Sequence, residues 1–111
     1  MEIDIHTVSR WLDSNQDNAG KPVALVDCRE PHEFDIAKID GAILMPMSQW
    51  PPSAELLSEL ENKTVVVHCH HGGRSLRVAN WFRHNGHPEA LSMAGGIDKW
   101  SMDIDPSIPR Y

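Results

Sequence analysis

The segment VVVHCHHGGRS, residues 65–75, joins a short apolar run directly to a glycine-containing loop. The run from Val65 to His68 is rich in β-branched residues, which is typical of a buried strand in a parallel sheet. Cys69 follows the run at once, and a helical pattern begins near Arg74. The segment therefore predicts a strand, a loop and a helix, with a thiol at the carboxyl end of the strand, where ligands bind in open parallel sheets.

The rest of the chain repeats this alternation of strands and helices. Further strands are predicted at Val23–Asp27, at Ala42–Met45, at Ala90–Met93 and, as a short edge strand, around Ile3 and Ile5. Helices are predicted around Val8–Leu12 behind Thr7 as a possible N-cap, over Pro31–Phe34, around Leu56–Leu60, from Arg74 to a stop at Asn85–Gly86, and around Ile97–Trp100. This order predicts an α/β domain with a mainly parallel sheet.

Length and composition limit the classes of protein that fit. The 111 residues predict one domain over residues 1–111. A net charge of -6 argues against nucleic acid as the main ligand, because phosphate binding needs a basic surface. No apolar run is long enough to span a membrane, and Glu2 and Asp4 do not suit a secretory signal. The two cysteines fit a reducing compartment, so we expect a cytoplasmic protein.

The loop after Cys69 has the features of an anion site. Gly72 and Gly73 allow a tight turn whose N–H groups point inward, and the following helix N-terminus and Arg74 add positive charge. These groups favour a thiolate, so we expect Cys69 to be nucleophilic near neutral pH. The same donors could hold a second anion. From the residues alone, phosphoryl transfer through a phosphocysteine and sulfur transfer through a persulfide both remain open.

Four motifs, in order along the chain, resemble those of the rhodanese-like domain family. They are LVDCREPHEF at 25–34, IDGAILMP at 39–46, the active-site segment at 65–75 and MAGGIDKW at 93–100. The resemblance implies a three-layer α/β fold, with a mainly parallel five-stranded sheet flanked by helices. It also implies a sulfurtransferase in which Cys69 accepts a sulfane sulfur. One departure lies at Ala37-Lys38, where the family usually has Gly-His before the isoleucine.

Loop length favours sulfur over phosphorus as the transferred atom. Four residues separate Cys69 from Arg74, whereas related cell-cycle phosphatases have five between the two. The expected reaction is ping-pong. Cys69 attacks thiosulfate or another sulfane donor, and cyanide, a thiol or a sulfur-carrier protein then removes the sulfur. The residues expected to bind the donor and the persulfide are His70, His71, Gly72, Gly73, Arg74 and Ser75. No cofactor is required by this scheme.

Three further residue groups have predicted roles outside direct catalysis. Asp27, Arg29 and Glu33 are expected to give structural support, with Arg29 paired to an acid. Cys28 is expected to be buried and structural, since a resolving role would need its sulfur beside Cys69. The run from His68 to His71 resembles a metal cluster in composition, but adjacent side chains rarely converge on one ion, so no metal is expected. A small phosphatase of the same fold and a non-catalytic binding module remain the alternative functions.

Overall fold

Five strands and five α-helices alternate along the chain. The computed structural model describes all residues, 1–111. The strands are β1 (Glu2–Ile3), β2 (Val23–Asp27), β3 (Ile43–Leu44), β4 (Thr64–His68) and β5 (Leu91–Met93). The helices are α1 (Ile5–Ser14), α2 (Pro31–Ile36), α3 (Ala54–Ser58), α4 (Gly73–Arg83) and α5 (Gly96–Asp103), with a 3₁₀ turn at Met47–Gln49. None of the helices is both long and apolar enough to cross a membrane.

All five strands belong to one sheet in the order β1-β5-β4-β2-β3, and every neighbouring pair is parallel. The predicted parallel five-stranded sheet is therefore confirmed. Strands β4 and β2 lie at its centre, and every residue of both is buried, as expected when helices cover both faces of a sheet. Cys69 and Cys28 each directly follow one of these two strands, so both lie at the carboxyl edge in the middle of the sheet.

Helices pack on both faces of the sheet and form the outer layers. Because side chains alternate along a strand, Val65 and Val67 of β4 face one core and Val66 faces the other. The first core includes Phe82 of α4, which is fully buried. The second receives buried residues from α1 and α5: Ile5, Val8, Ile97 and Trp100. Burying a side chain such as Phe82 contributes about 2 kcal/mol, so α4 is firmly fixed behind the loop that precedes it.

Two predictions about the chain start are wrong. Helix α1 begins at Ile5, and its N-cap is Asp4, whose carboxylate accepts the N–H of Thr7 at 3.0 Å. Thr7 therefore lies in the first turn, because a carboxylate three residues earlier already caps it. Ile5 is not part of the edge strand, since it packs into the second core from α1. Of the two isoleucines, only Ile3 lies in the edge strand, where it pairs with Met93 of β5.

Candidate active site

Cys69 lies at the junction between β4 and the loop that leads into α4. The strand ends at His68, the helix begins at Gly73, and the Cys69 side chain is buried between them. Gly72 precedes the helix with φ of +131°, a conformation that side-chain-bearing residues rarely adopt. The N–H of Gly72 donates to Cys69 Sγ at 3.0 Å. The sulfur therefore occupies the place of an anion at a helix N-terminus.

Several donors surround the sulfur and favour its ionised form. Ser75 Oγ lies 3.4 Å from Cys69 Sγ and is itself hydrogen-bonded to Ser92 Oγ at 2.7 Å. A hydrogen bond from the Cys28 thiol, together with those from Ser75 and Gly72, lowers the pKa of Cys69 below its ordinary value, although burial opposes the shift. A buried thiolate held by neutral donors is a prepared nucleophile.

Cys28 belongs to this site as well. Its Sγ lies 3.5 Å from the carbonyl oxygen of His68, and its side chain packs in the same buried cluster as Cys69. The hydrogen bond with Cys69, reinforced by burial, raises the pKa of Cys28 above its ordinary value. Cys28 is fully buried, as expected, and shares its buried cluster with Cys69, a neighbour that no local sequence pattern indicates.

Arg74 is held by Glu33 through two hydrogen bonds. Its Nη1 donates to Glu33 Oε1 at 2.7 Å and its Nη2 to Oε2 at 3.0 Å. The Arg74 side chain is 34% exposed and that of Glu33 is 10% exposed, so the pair is partly shielded from water. The Arg74 guanidinium lowers the pKa of Glu33, and Glu33 raises the pKa of Arg74. Glu33 therefore balances the positive charge of Arg74 at the loop. The outward surface of the Arg74 guanidinium remains free to contact a substrate.

Asp27 and Arg29 form a buried ion pair at the end of β2. Arg29 is 0% exposed, and its Nε and Nη2 donate to the two carboxylate oxygens of Asp27 at 2.9 and 2.7 Å. Arg29 Nη2 also donates to the carbonyl oxygen of Ala37 at 2.6 Å. A buried charge needs this many partners to offset its desolvation. The pair ties the end of α2 to the sheet, and α2 in turn carries Glu33 to Arg74.

Tyr111 completes the same network and was missed by the sequence analysis. Its hydroxyl donates to Glu33 Oε2 at 2.7 Å and accepts from Arg29 Nη1 at 2.9 Å. Its ring stacks on His70, with centroids 3.9 Å apart and planes 6° from parallel. Burial raises the pKa of Tyr111 to about 12, so the hydroxyl keeps its proton for Glu33. No periodic pattern reaches Tyr111, so its place beside the loop follows only from the path of the chain after α5.

The histidines and Asp98 form the outer rim of the site. His71 is 69% exposed, and its Nε2 lies 3.8 Å from Asp98 Oδ2. The His70 and His71 rings stack with centroids 3.9 Å apart. His70, His71 and Asp98 each place one potential ligand atom within 4.8 Å of the other two. They are therefore the group of side chains that could bind a metal ion. Arg110 already binds the Asp98 carboxylate at 3.0 Å and would compete with such an ion.

Comparison with known proteins agrees with the motifs in the sequence. Residues 9–103 match the family model of the rhodanese-like domain. The rhodanese-like/PpiC domain-containing protein 12, chloroplastic, of Arabidopsis thaliana is 41% identical over 90 residues, which cover 78% of this chain and 30% of that protein. A probable adenylyltransferase/sulfurtransferase MoeZ of Mycobacterium tuberculosis is 35% identical, over 91% of this chain and 24% of that protein.

Other relatives carry different descriptions. A tRNA uridine(34) hydroxylase of Variovorax paradoxus is 33% identical over 92% of this chain and 40% of that protein. The chain thus spans between 24% and 40% of the length of these curated relatives. Among solved structures, a rhodanese-like domain protein from Staphylococcus aureus superposes with a TM-score of 0.74 at 26% identity, covering 100% of this chain and 99% of that one.

Proposed function

Because the chain belongs to the rhodanese-like domain family, we propose that it is a sulfurtransferase whose Cys69 carries a sulfane sulfur as a persulfide. One observation carries the proposal: the buried Cys69 sulfur accepts the N–H of Gly72 at 3.0 Å at the start of α4. A thiolate in that position is the nucleophile that sulfur transfer requires. The description of the Mycobacterium tuberculosis relative, which names a sulfurtransferase, supports the same reading.

The first half-reaction loads the enzyme. The Cys69 thiolate attacks the outer sulfur of thiosulfate or of another sulfane donor, a sulfur–sulfur bond forms, and sulfite or a thiolate leaves. The backbone N–H groups between His70 and Ser75 hold the persulfide. The outward surface of Arg74 and the exposed His71 bind the anionic end of the donor. The first product leaves before the acceptor binds, so the kinetics are ping-pong.

The second half-reaction passes the outer sulfur to a thiophilic acceptor. Cyanide serves in an assay, which makes the activity of the thiosulfate:cyanide type. A small thiol or a sulfur-carrier protein serves in the cell. Both cysteines are free, and Cys69 must be a reduced thiol to accept the sulfur. We therefore place the protein in the cytoplasm, where thiols are kept reduced.

Two features weigh against phosphate-ester hydrolysis at this site. The loop is short, with four residues between Cys69 and Arg74, whereas a tetrahedral phosphate needs a wider ring of donors. Hydrolysis also needs an acid that protonates the leaving group. Arg74 lowers the pKa of Glu33 and Arg110 lowers that of Asp98, so neither carboxyl holds a proton near neutral pH.

Intact-protein mass spectrometry tests the proposal. Reduced protein is mixed with thiosulfate and sampled from the start of the reaction, beside a Cys69→Ser control. We expect a gain of about 32 Da, one sulfur atom, that cyanide removes as thiocyanate and that the control lacks. If folded, reduced protein gains no such mass from thiosulfate or from other sulfane donors, the proposal is wrong.

A further inference from the structure

The sheet register brings Cys28 and Cys69 side by side. Strands β2 and β4 pair in parallel up to Asp27 opposite His68, and the Cys28 N–H continues the ladder by donating to the His68 carbonyl at 3.1 Å. Paired residues point to the same face of a sheet. The side chains of Asp27 and His68 meet on one face, 3.6 Å apart, so the two cysteines that follow share the other. Both lie in the same buried cluster beneath the loop.

The two thiols differ in protonation and in surroundings. The pKa of Cys28 is raised and that of Cys69 is lowered, so the proton stays on Cys28 while the negative charge stays on Cys69. Of the two sulfurs, only that of Cys69 is hydrogen-bonded by the Gly72 N–H and the Ser75 hydroxyl. A transferred sulfur therefore bonds to Cys69, and Cys28 is left as a neighbouring thiol in the same buried cluster.

We propose that Cys28 resolves the Cys69 persulfide, forming a Cys28–Cys69 disulfide and releasing the sulfane sulfur as hydrogen sulfide. The inference rests on the proposed function and states what becomes of the sulfur when no acceptor is bound. The Cys28 sulfur bonds to the inner sulfur of the persulfide, the bond from that inner sulfur to the outer one breaks, and the Cys28 proton passes to the departing sulfur. Two electrons move from the thiol pair to the sulfane sulfur, so no outside oxidant is needed.

The positions of the two residues suit this bond. Neighbouring strands of a sheet lie about 4.8 Å apart, within the roughly 4.4–6.8 Å that the Cα atoms of a disulfide span. Cys28 is fully buried, so external thiols reach Cys69 from the loop side, whereas Cys28 reaches it from within the core. The cycle closes when an external thiol reductant reduces the disulfide. The site would then act as a thiol-dependent source of sulfide as well as a sulfur carrier.

Anaerobic loading of wild-type protein, Cys28→Ala and Cys28→Ser with thiosulfate, without any added thiol, tests the inference. Intact mass and free sulfide are followed over time. Wild-type protein should gain about 32 Da and then fall to about 2 Da below its starting mass, with about one sulfide released per chain. Both variants should stop at the persulfide and lose it only to cyanide. Cys28→Ser is the matched control, because its hydroxyl can still donate to Cys69 but cannot form a disulfide.

The possible outcomes separate the two hypotheses. If wild-type persulfide is as long-lived as that of Cys28→Ser, or if both release sulfide at the same rate, Cys28 does not resolve it and the inference is overturned while sulfur transfer stands. If none of the three proteins gains the sulfur atom, the proposed function itself is overturned, and the inference with it. Peptide mapping of the final wild-type species should place the disulfide between residues 28 and 69.

Discussion

Replacing Gly96 by alanine tests how the N-terminus of α5 holds the Cys69 loop. Gly96 has φ of +60°, and a Cβ added there would lie 2.6 Å from the carbonyl oxygen of Cys69 and 2.5 Å from the carbonyl carbon of His70. The next two N–H groups bind the same carbonyls, Ile97 to Cys69 at 2.9 Å and Asp98 to His70 at 3.1 Å. The helix can therefore hold the loop this closely only because residue 96 has no side chain.

The expected cost has two parts. Ordinary contact with the Cys69 carbonyl oxygen requires the backbones to separate by about 0.8 Å, and contact with the nearer His70 carbonyl oxygen requires more, which weakens both hydrogen bonds. Losing two such bonds costs about 1–3 kcal/mol. A left-handed conformation for alanine adds about 1–2 kcal/mol. We expect Gly96→Ala to lower the free energy of unfolding by about 3 kcal/mol, a large part of the roughly 5–15 kcal/mol of a typical domain.

Urea unfolding followed by circular dichroism measures this cost, and persulfide loading measures its effect on the site. Gly41→Ala is the matched control, since Gly41 also has a positive φ, of +86°, but its added Cβ would meet nothing within 4 Å. The control should lose only about 1–2 kcal/mol and load at the wild-type rate. Gly96→Ala should lose more stability and load more slowly. Equal losses in the two variants would refute the reasoning, because the close contact would then carry no free energy.

Three other measurements examine the groups around the loop. The rate of Cys69 alkylation should have its midpoint below the ordinary thiol pKa of about 8.5, because neutral donors stabilise the thiolate; a midpoint at or above that value would contradict the assignment. Glu33→Gln should lower the free energy of unfolding by about 1–3 kcal/mol at pH 7. Because Arg74 lowers the pKa of Glu33, the stability that the Glu33 carboxylate contributes is complete above its unfolded pKa of about 4.3 and fades as the pH falls. If the stability difference between Glu33→Gln and wild-type protein in urea unfolding were unchanged at low pH, this ion pair would be excluded as its cause. Tyr111→Phe should cost about 1 kcal/mol in the same assay, since it removes the hydroxyl bonds and keeps the ring on His70; wild-type stability would make the hydroxyl irrelevant.

Much of the framework could be predicted because it depends on local signals. The apolar runs of β2 and β4, the glycines after Cys69 and the helical face of α4 are all readable within a few residues. The limits of elements were harder to predict. Asp4 and Thr7 are both residue types that cap helices, and the sequence alone does not show which of them does so. In the structure Asp4 is the N-cap, so α1 begins at Ile5.

The parts that could not be predicted join residues far apart along the chain. Cys28 and Cys69 are 41 positions apart, and their contact depends on the pairing and register of β2 and β4. The partner of Arg74 is Glu33, brought by α2, and Tyr111 reaches the same carboxylate after α5. Hydrophobic periodicity does not predict these long-range contacts, because each depends on how separate helices and strands pack together.

The balance of charge at the loop bears on which anion the site suits. Glu33 compensates Arg74, so the Cys69 thiolate depends mainly on the Gly72 N–H, the Ser75 hydroxyl and the Cys28 thiol. Neutral dipoles of this kind stabilise one diffuse negative charge on sulfur without a full counter-charge. A persulfide anion carries the same single charge, shifted to the outer sulfur by one bond of about 2 Å, so loading leaves the net charge of the site unchanged. A phosphocysteine would instead hold two negative charges near Glu33 and Asp98, where Arg74 and Arg110 are each already paired with a carboxylate. The arrangement that stabilises the Cys69 thiolate therefore supports the proposal that the site carries sulfur.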